Sequence, residues 1–133
     1  MSYLFDSSAI FKAIMNNAVK VLSKNYTIEL ARYELCNILW KECALHRRIN
    51  YDEAKKLMEL VKNALSLMKI FSIECCEGEV IITAEKLQLT FYDASYVFYA
   101  KKMDLTLITE DEKIINRAKP YIKALKLNDI SSI

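Results

Sequence analysis

The chain has 133 residues, 53% hydrophobic and 27% charged, with 19 Lys and Arg against 17 Asp and Glu. That is one domain's worth of ordinary globular sequence, and a net charge of +2 does not by itself mark a nucleic-acid binder. One Gly, one Pro and one His exclude glycine-rich phosphate loops, dinucleotide fingerprints, hairpin-rich barrels and His-paired zinc sites, and leave His46, in "ALHRR" with no adjacent acid, as the only base for a Ser–His or Cys–His unit.

The elements follow in order. Tyr3-Leu4-Phe5 reads as a first strand that stops at Asp6. Ser8 is placed to cap a helix through Ala9, Ile10, Ala13 and Ile14. A helical stretch near Ala18–Leu22 leads to a second strand around Tyr26–Ile28. Arg32 to about His46 is helical, with Leu35, Ile38, Leu39 and Ala44 in helical register. Asn50 with Glu53 three residues later signals a capping box for a helix reaching about Leu67. Ile70–Ile73 is strand-like and Val80–Leu89 helical. Thr90 caps Phe91–Met103, which is apolar nearly all round and so predicts a helix buried on several sides. Leu105–Ile108 is a strand. Thr109 and Glu112 form a second capping signal for a helix from Glu110 to Ala118 that ends at Pro120, and Ile122–Leu127 closes as a last strand. Strands alternating with helices through long connections predict a three-layer α/β/α fold with a short, mainly parallel central sheet, formed by residues 1–133 as one domain. In such folds sites form at the carboxyl ends of strands.

No apolar run approaches the roughly 20 residues of a membrane span, and "MSYLFDSSAIF" is too short and acidic for a signal peptide, so a cytoplasmic protein is expected. Cys36, Cys43, Cys75 and Cys76 lack C-x-x-C spacing and read as reduced thiols, a disulfide being the alternative in a hyperthermophile.

The acids are unevenly placed. Of six Asp, Asp6 ends an apolar strand, Asp93 lies in the most apolar helix and Asp111 follows an apolar strand. Glu34 sits between Tyr33 and Leu35 near a helix start. A carboxylate among apolar groups costs several kcal/mol unless paired. Converging carboxylates raise one another's pKa unless a cation neutralises them, and an oxygen-only set suits Mg²⁺ or Mn²⁺. Each acid also has a purely structural reading. Asp93 could complete a capping box with Thr90, Asp111 could serve a helix dipole, and Asp6 could accept from the turn after it. Periodicity alone leaves both readings open.

The ordered motifs resemble a known family. "YLFDSSAIFK", "ARYELCNILWK" and "TFYDASYVFYAKKMDLTLITEDEKI" resemble the three blocks of the PIN domain, most closely the toxin ribonucleases of VapBC-type toxin–antitoxin pairs, in the family's order and over nearly the whole chain. The resemblance implies a metal-dependent endoribonuclease with Asp6, Glu34, Asp93 and Asp111 as its catalytic, metal-binding centre. Ser8, Asn37 and Thr109 match supporting positions. It implies Mg²⁺ or Mn²⁺ as cofactor, RNA as substrate, a small cognate antitoxin and a homodimer. Two departures stand out. Thr-Glu-Asp replaces a small residue before the fourth acid, so Glu110 competes with Asp111, and the family's glycine before the fourth strand is missing. An RNA nuclease of processing or quality control, a catalytically silent PIN-fold binding module, and a helical interaction protein whose acids are only caps are the alternatives.

An acidic centre repels RNA, so nearby cations should hold the backbone. Lys12 and Lys41, one or two turns from Asp6 and Glu34, lead Arg47, Arg48 and Lys101-Lys102 as candidates. Tyr92, Tyr96 and Tyr99 share helical spacing and read as core ahead of a base-stacking surface.

Overall fold

The computed structural model describes residues 2–130. Its strands are β1 (Tyr3–Phe5), β2 (Tyr26–Ile28), β3 (Lys69–Phe71), β4 (Thr106–Ile108) and β5 (Ala124–Leu125). They form one sheet in the order β3-β2-β1-β4-β5 with every pairing parallel. The helices are α1 (Ser7–Met15), α2 (Leu30–Trp40), α3 (Tyr51–Ser66), α4 (Glu77–Leu87), α5 (Phe91–Lys102) and α6 (Glu112–Ala118). The expected α/β/α arrangement is what forms, with a sheet that is wholly parallel among the described residues.

β1 is the central strand and all three of its residues are buried. Parallel strands covered on both faces read as continuous apolar runs, which is why Tyr3-Leu4-Phe5 shows no polar alternation. Tyr3, Leu4 and Phe5 stand opposite Thr106, Leu107 and Ile108 of β4. From β1 the chain winds outward to β2 and β3, then returns to β4 and β5 on the other side of β1. Right-handed crossovers place the helices of the two windings on opposite faces. Accordingly α1, α2 and α3 pack together, while α5 lies over β1, β2 and β4 with α4 against it. The two windings part between β1 and β4, and in open parallel sheets sites form beyond the carboxyl ends of the strands at such a switch point.

The all-round apolar segment behaves as expected: Ala94 through Ala100 are all buried in α5. Tyr99 stacks on Phe71, which stacks on Tyr26, with centroids 4.8 and 5.3 Å apart. The capping box of Asn50 and Glu53 forms at the start of α3, with reciprocal bonds of 2.8 and 3.0 Å.

Several boundaries differ from the sequence expectation. The second helical stretch is a 3₁₀ turn, Val19–Leu22. The long helix expected to His46 ends at Trp40 and continues as a π-helical turn, Lys41–Leu45. The closing strand shrinks to Ala124–Leu125, followed by a 3₁₀ turn, Leu127–Asp129. Two expected caps are also reassigned. Asp6, not Ser8, caps α1, and Asp111, not Thr109, caps α6. In both cases the hydroxyl is drawn into a long-range network, and the neighbouring carboxylate takes over the helix end.

The single glycine, Gly78, lies in α4 and serves no turn. The left-handed positions fall instead on Asn17, Lys24, Arg47, Cys75, Gln88 and Asp104. All four cysteines are free thiols, Cys75 exposed and Cys76 buried. Among the described residues no helix is long and apolar enough to cross a membrane.

Candidate active site

The centre is built around Asp6. β1 ends there, and the Asp6 N–H donates to the Ile108 carbonyl at the end of β4, 3.0 Å away. That bond aligns the two strand ends and sets Thr109 beside Asp6. Asp6 is only 4% exposed. Its Oδ1 accepts from the Ala9 N–H at 3.0 Å and from Ser8 Oγ at 2.6 Å. Its Oδ2 accepts from Thr109 Oγ1. Burial, ahead of any other influence, pushes the Asp6 carboxyl up to about 6, against the pull of those three donors and with a smaller push from Glu34. The cap reading of Asp6 holds: the carboxylate that starts α1 is also the one held by Ser8 and Thr109 at the strand end.

Ser8 and Thr109 tie the first acid to the fourth. Ser8 Oγ also accepts the Glu110 N–H at 3.0 Å and lies 3.4 Å from Thr109 Oγ1. Thr109 Oγ1 accepts the Asp111 N–H at 3.1 Å. The Thr-Glu-Asp segment is thus held by two hydroxyls that serve Asp6 at the same time. Asp111 is exposed, and its Oδ1 caps α6 through the N–H groups of Lys113 and Ile114 at 2.9 and 3.4 Å.

Glu110 has other work. Its Oε1 pairs with Lys12 Nζ at 2.9 Å and its Oε2 accepts the Leu127 N–H at 2.8 Å. Both Glu110 oxygens are committed, whereas Asp111 commits only Oδ1, to the start of α6.

Glu34 lies in the second turn of α2, half-buried. Its Oε1 accepts from Tyr96 OH at 2.6 Å and from Ser7 Oγ at 3.1 Å. Burial and the nearby Glu34 charge push the Tyr96 phenol well above its ordinary range, so it stays protonated and donates. Tyr96 and Ser7 are the positions that sequence reasoning missed. Tyr96 reads as core because its ring is core; only its hydroxyl reaches the site. The available signal was its place three residues after Asp93, on the same side of α5.

Asp93 is half-buried in the first turn of α5. Its own N–H donates to Thr90 Oγ1 at 3.1 Å, but the carboxylate does not return the bond that would complete a capping box. Burial raises its pKa, and repulsion from Asp111 adds to the rise, with Lys113 and Thr90 opposing. The four acids therefore interact as two pairs, Asp6 with Glu34 and Asp93 with Asp111.

Asn37 is exposed one turn beyond Glu34. With Leu30, Tyr33, Glu34 and Tyr92 it lines a shallow groove of about 360 Å³ leading from the acids. Among the cations, Lys12 reaches the rim but is spent on Glu110. Lys41 is exposed where α2 passes into the π-helical turn and pairs with none of the acids among the described residues. Arg48 pairs with Glu42 at 3.1 Å, and Lys102 lies over the Phe98 and Tyr99 rings.

Among the described residues no three of His, Cys, Asp and Glu stand together as a ready metal cage. The donor set nonetheless fits a hard divalent ion. It is all oxygen, and repulsion between its acids adds to the cost of ionising Asp6 and Asp93, which a bound cation would relieve. Mg²⁺ is commonly held by one or two carboxylates, with water and substrate phosphate completing the shell. The fit is to paired carboxylates and not to a closed protein cage.

Comparison with known proteins identifies the family and the fold. The PIN domain family model matches residues 2–120. Exonuclease VapC9 of Pyrobaculum aerophilum is 31% identical over 124 residues, 92% of this chain and 90% of that one. Ribonuclease VapC3 of the same organism is 31% identical over 100 residues, 75% of this chain and 76% of that one. The crystal structure of Pyrobaculum aerophilum PAE2754 superposes with a TM-score of 0.81 at 26% identity, over 99% of this chain and 93% of that one. VapBC2 from Rickettsia felis, solved with a promoter DNA fragment, shares the fold at a TM-score of 0.62 and 17% identity, over 95% of this chain and 98% of that one. With the family model matched over most of its length, the chain belongs to the PIN-domain family.

Proposed function

We propose that this chain is a divalent-metal-dependent endoribonuclease acting as the toxin of a toxin–antitoxin pair. The observation that carries the reading is the buried Asp6 carboxylate, held by Ser8, Thr109 and the Ala9 N–H and electrostatically coupled to Glu34. A carboxylate so costly to ionise is kept where a cation or a phosphate is to be handled.

Asp6, Glu34, Asp93 and Asp111 would hold Mg²⁺ or Mn²⁺. When bound, such ions supply charge relief on the phosphate and lower the pKa of water. The rest falls to the chain's own side chains. Ser8 and Thr109 fix both oxygens of Asp6, so the first acid is preorganised. Tyr96 and Ser7 fix one oxygen of Glu34, Oε1, leaving Oε2 to orient a water for in-line attack on phosphorus. Asp93 and Asp111 complete the acidic wall. No covalent protein nucleophile is involved, in keeping with a chain that has one remote His. Asn37 extends the same face toward the groove, where its amide can contact the sugar–phosphate backbone. Lys12, released from Glu110 by an approaching phosphate, and Lys41 are the nearby backbone contacts.

The two Pyrobaculum relatives bear different names, one an exonuclease and the other a ribonuclease. Internal cleavage of RNA is our assignment. The reading also implies a cytoplasmic homodimer neutralised by a small antitoxin. The test is incubation of the purified chain with an end-labelled single-stranded RNA, with Mg²⁺, Mn²⁺ or a chelator. Internal fragments that appear only with metal support the reading. Stepwise shortening from one end would reassign it as an exonuclease, and no cleavage under any metal would overturn it.

A further inference from the structure

The end of the sheet away from the acids carries a second feature. A concavity of about 600 Å³ opens beneath the N-terminal end of β4 and the loop entering β5. Lys101, Lys119 and Lys123 line it, with Tyr121 among them. The Lys101 ammonium lies 5.1 Å from the centre of the Tyr121 ring, and that of Lys86, from α4, lies 5.8 Å from it. All four lysines are exposed, and none has a carboxylate within ion-pair distance among the described residues. The only acid in the lining is Asp104. In a chain of net charge +2, this is a local concentration of unneutralised positive charge in a hollow.

Such an arrangement is unfavourable until an anion arrives. Four ammonium groups drawn from two helices and the loop between α6 and β5 repel one another, and an exposed charge cluster focuses potential where the surface is concave. The interleaved Tyr121 adds a partner for a flat ring. Phosphate-binding lysines around an aromatic face are what single-stranded nucleic acid recognises. An acidic peptide would use the lysines but gain less from the ring.

We propose that this concavity is a second nucleic-acid contact, binding the phosphate backbone of single-stranded RNA at the opposite end of the sheet from the acid centre. The sites are separated by the length of β4, a three-residue strand of about 10 Å, and its flanking loops. An RNA cleaved at the acids is long enough to engage both. As an RNA contact the proposal rests on the nuclease reading, but its binding arm does not depend on cleavage.

The test is fluorescence anisotropy of a labelled single-stranded RNA 20-mer, in chelator to prevent cleavage, across a salt series. The triple variant Lys101→Ala, Lys119→Ala, Lys123→Ala is compared with Lys55→Ala, Lys56→Ala, Lys62→Ala on α3, which removes the same charge elsewhere. All six side chains are exposed, so both variants should fold, and circular dichroism checks this. The first variant is expected to bind about tenfold more weakly, with a log–log salt slope shallower by about 2, the value for three lost phosphate contacts on a single strand. In cleavage with Mg²⁺ or Mn²⁺ its KM for the 20-mer rises, while a trinucleotide is cut as by the wild type. Unchanged affinity and slope would overturn the proposal. So would an equal loss in the α3 variant, which would mean diffuse charge. Poly-glutamate of matched charge competing as well as RNA would move the site to an acidic protein partner and overturn it too. Loss of binding in the first variant only, from a wild type that cuts no RNA, would sustain this contact and fail the nuclease reading.

Discussion

Replacing Asp6 by Asn should make the protein more stable at neutral pH while removing a residue of the acid centre. Asp6 is nearly fully buried, and its carboxyl is raised from 3.8 to about 6. The folded state therefore binds that proton more tightly than the unfolded chain does. Between pH 3.8 and 6 unfolding releases it, so stability falls as pH rises through that window and is level above it. Two pH units correspond to about 3 kcal/mol held as the cost of ionised Asp6 at pH 7.5. Asn carries no such cost and remains a good helix cap. Its amide N–H₂ turns a donor toward Thr109 Oγ1, which already serves the Asp111 N–H, and that mismatch costs about 1 kcal/mol. The balance is a gain of about 2 kcal/mol for Asp6→Asn at pH 7.5 in chelator, or roughly 5–10 °C in melting temperature. Below pH 4 the gain is lost, and the mismatch leaves the variant about 1 kcal/mol less stable than wild type. Urea unfolding of both proteins from pH 4 to pH 8 measures it. A variant less stable than wild type at pH 7.5, or one with the wild-type slope between pH 4 and 6, would refute the reasoning.

Other outcomes follow from the same network. Tyr96→Phe keeps the buried ring but strips Glu34 of its closest donor, so stability should drop by about 1–2 kcal/mol in urea unfolding and RNA cleavage should fall with it. Lys12→Ala and Glu110→Ala should show a coupling of about 0.5–1 kcal/mol in a double-mutant cycle, weakening in high salt, as befits a partly exposed pair. Glu110→Ala alone should cost more than Lys12→Ala, because the Leu127 N–H loses its acceptor as well. Gly78→Ala should stabilise the protein by about 0.5–1 kcal/mol in thermal melts, since the site is helical and a Cβ there meets nothing within 4 Å.

What was legible in the sequence was local. The Asn50–Glu53 box depends on residues three apart, and it formed. The buried strand β1 and the helix α5 announced themselves by apolar runs. The ordered acids were legible through the family's motifs, and the fold brings Asp6 to Glu34 and Asp93 to Asp111. What failed was non-local. Ser8 and Thr109 have the chemistry of caps, but their hydroxyls are claimed by the Asp6 carboxylate, in the case of Thr109 across 103 positions of sequence. No local rule weighs that competition. Tyr96 was hidden because one residue is apolar in its ring and polar at its tip. The π-helical turn after Trp40 has no composition signal. The scarcity of glycine correctly spoke against hairpins, yet it did not prevent tight turns, because six other residues adopt the left-handed conformation.

The central claim is that the acid centre carries phosphodiester hydrolysis, and Asp93 tests it most directly. It is half-buried, caps nothing with its carboxylate and is coupled to Asp111, so Asp93→Asn should leave the fold intact. The measurement is the initial rate of single-stranded RNA cleavage in Mg²⁺ or Mn²⁺ by wild type and by Asp93→Asn, each shown to be folded by its unfolding curve. The account predicts a loss of about a hundredfold or more, of the size seen when one preorganised electrostatic group is removed from an active site. A folded Asp93→Asn protein that cleaves at the wild-type rate would contradict it.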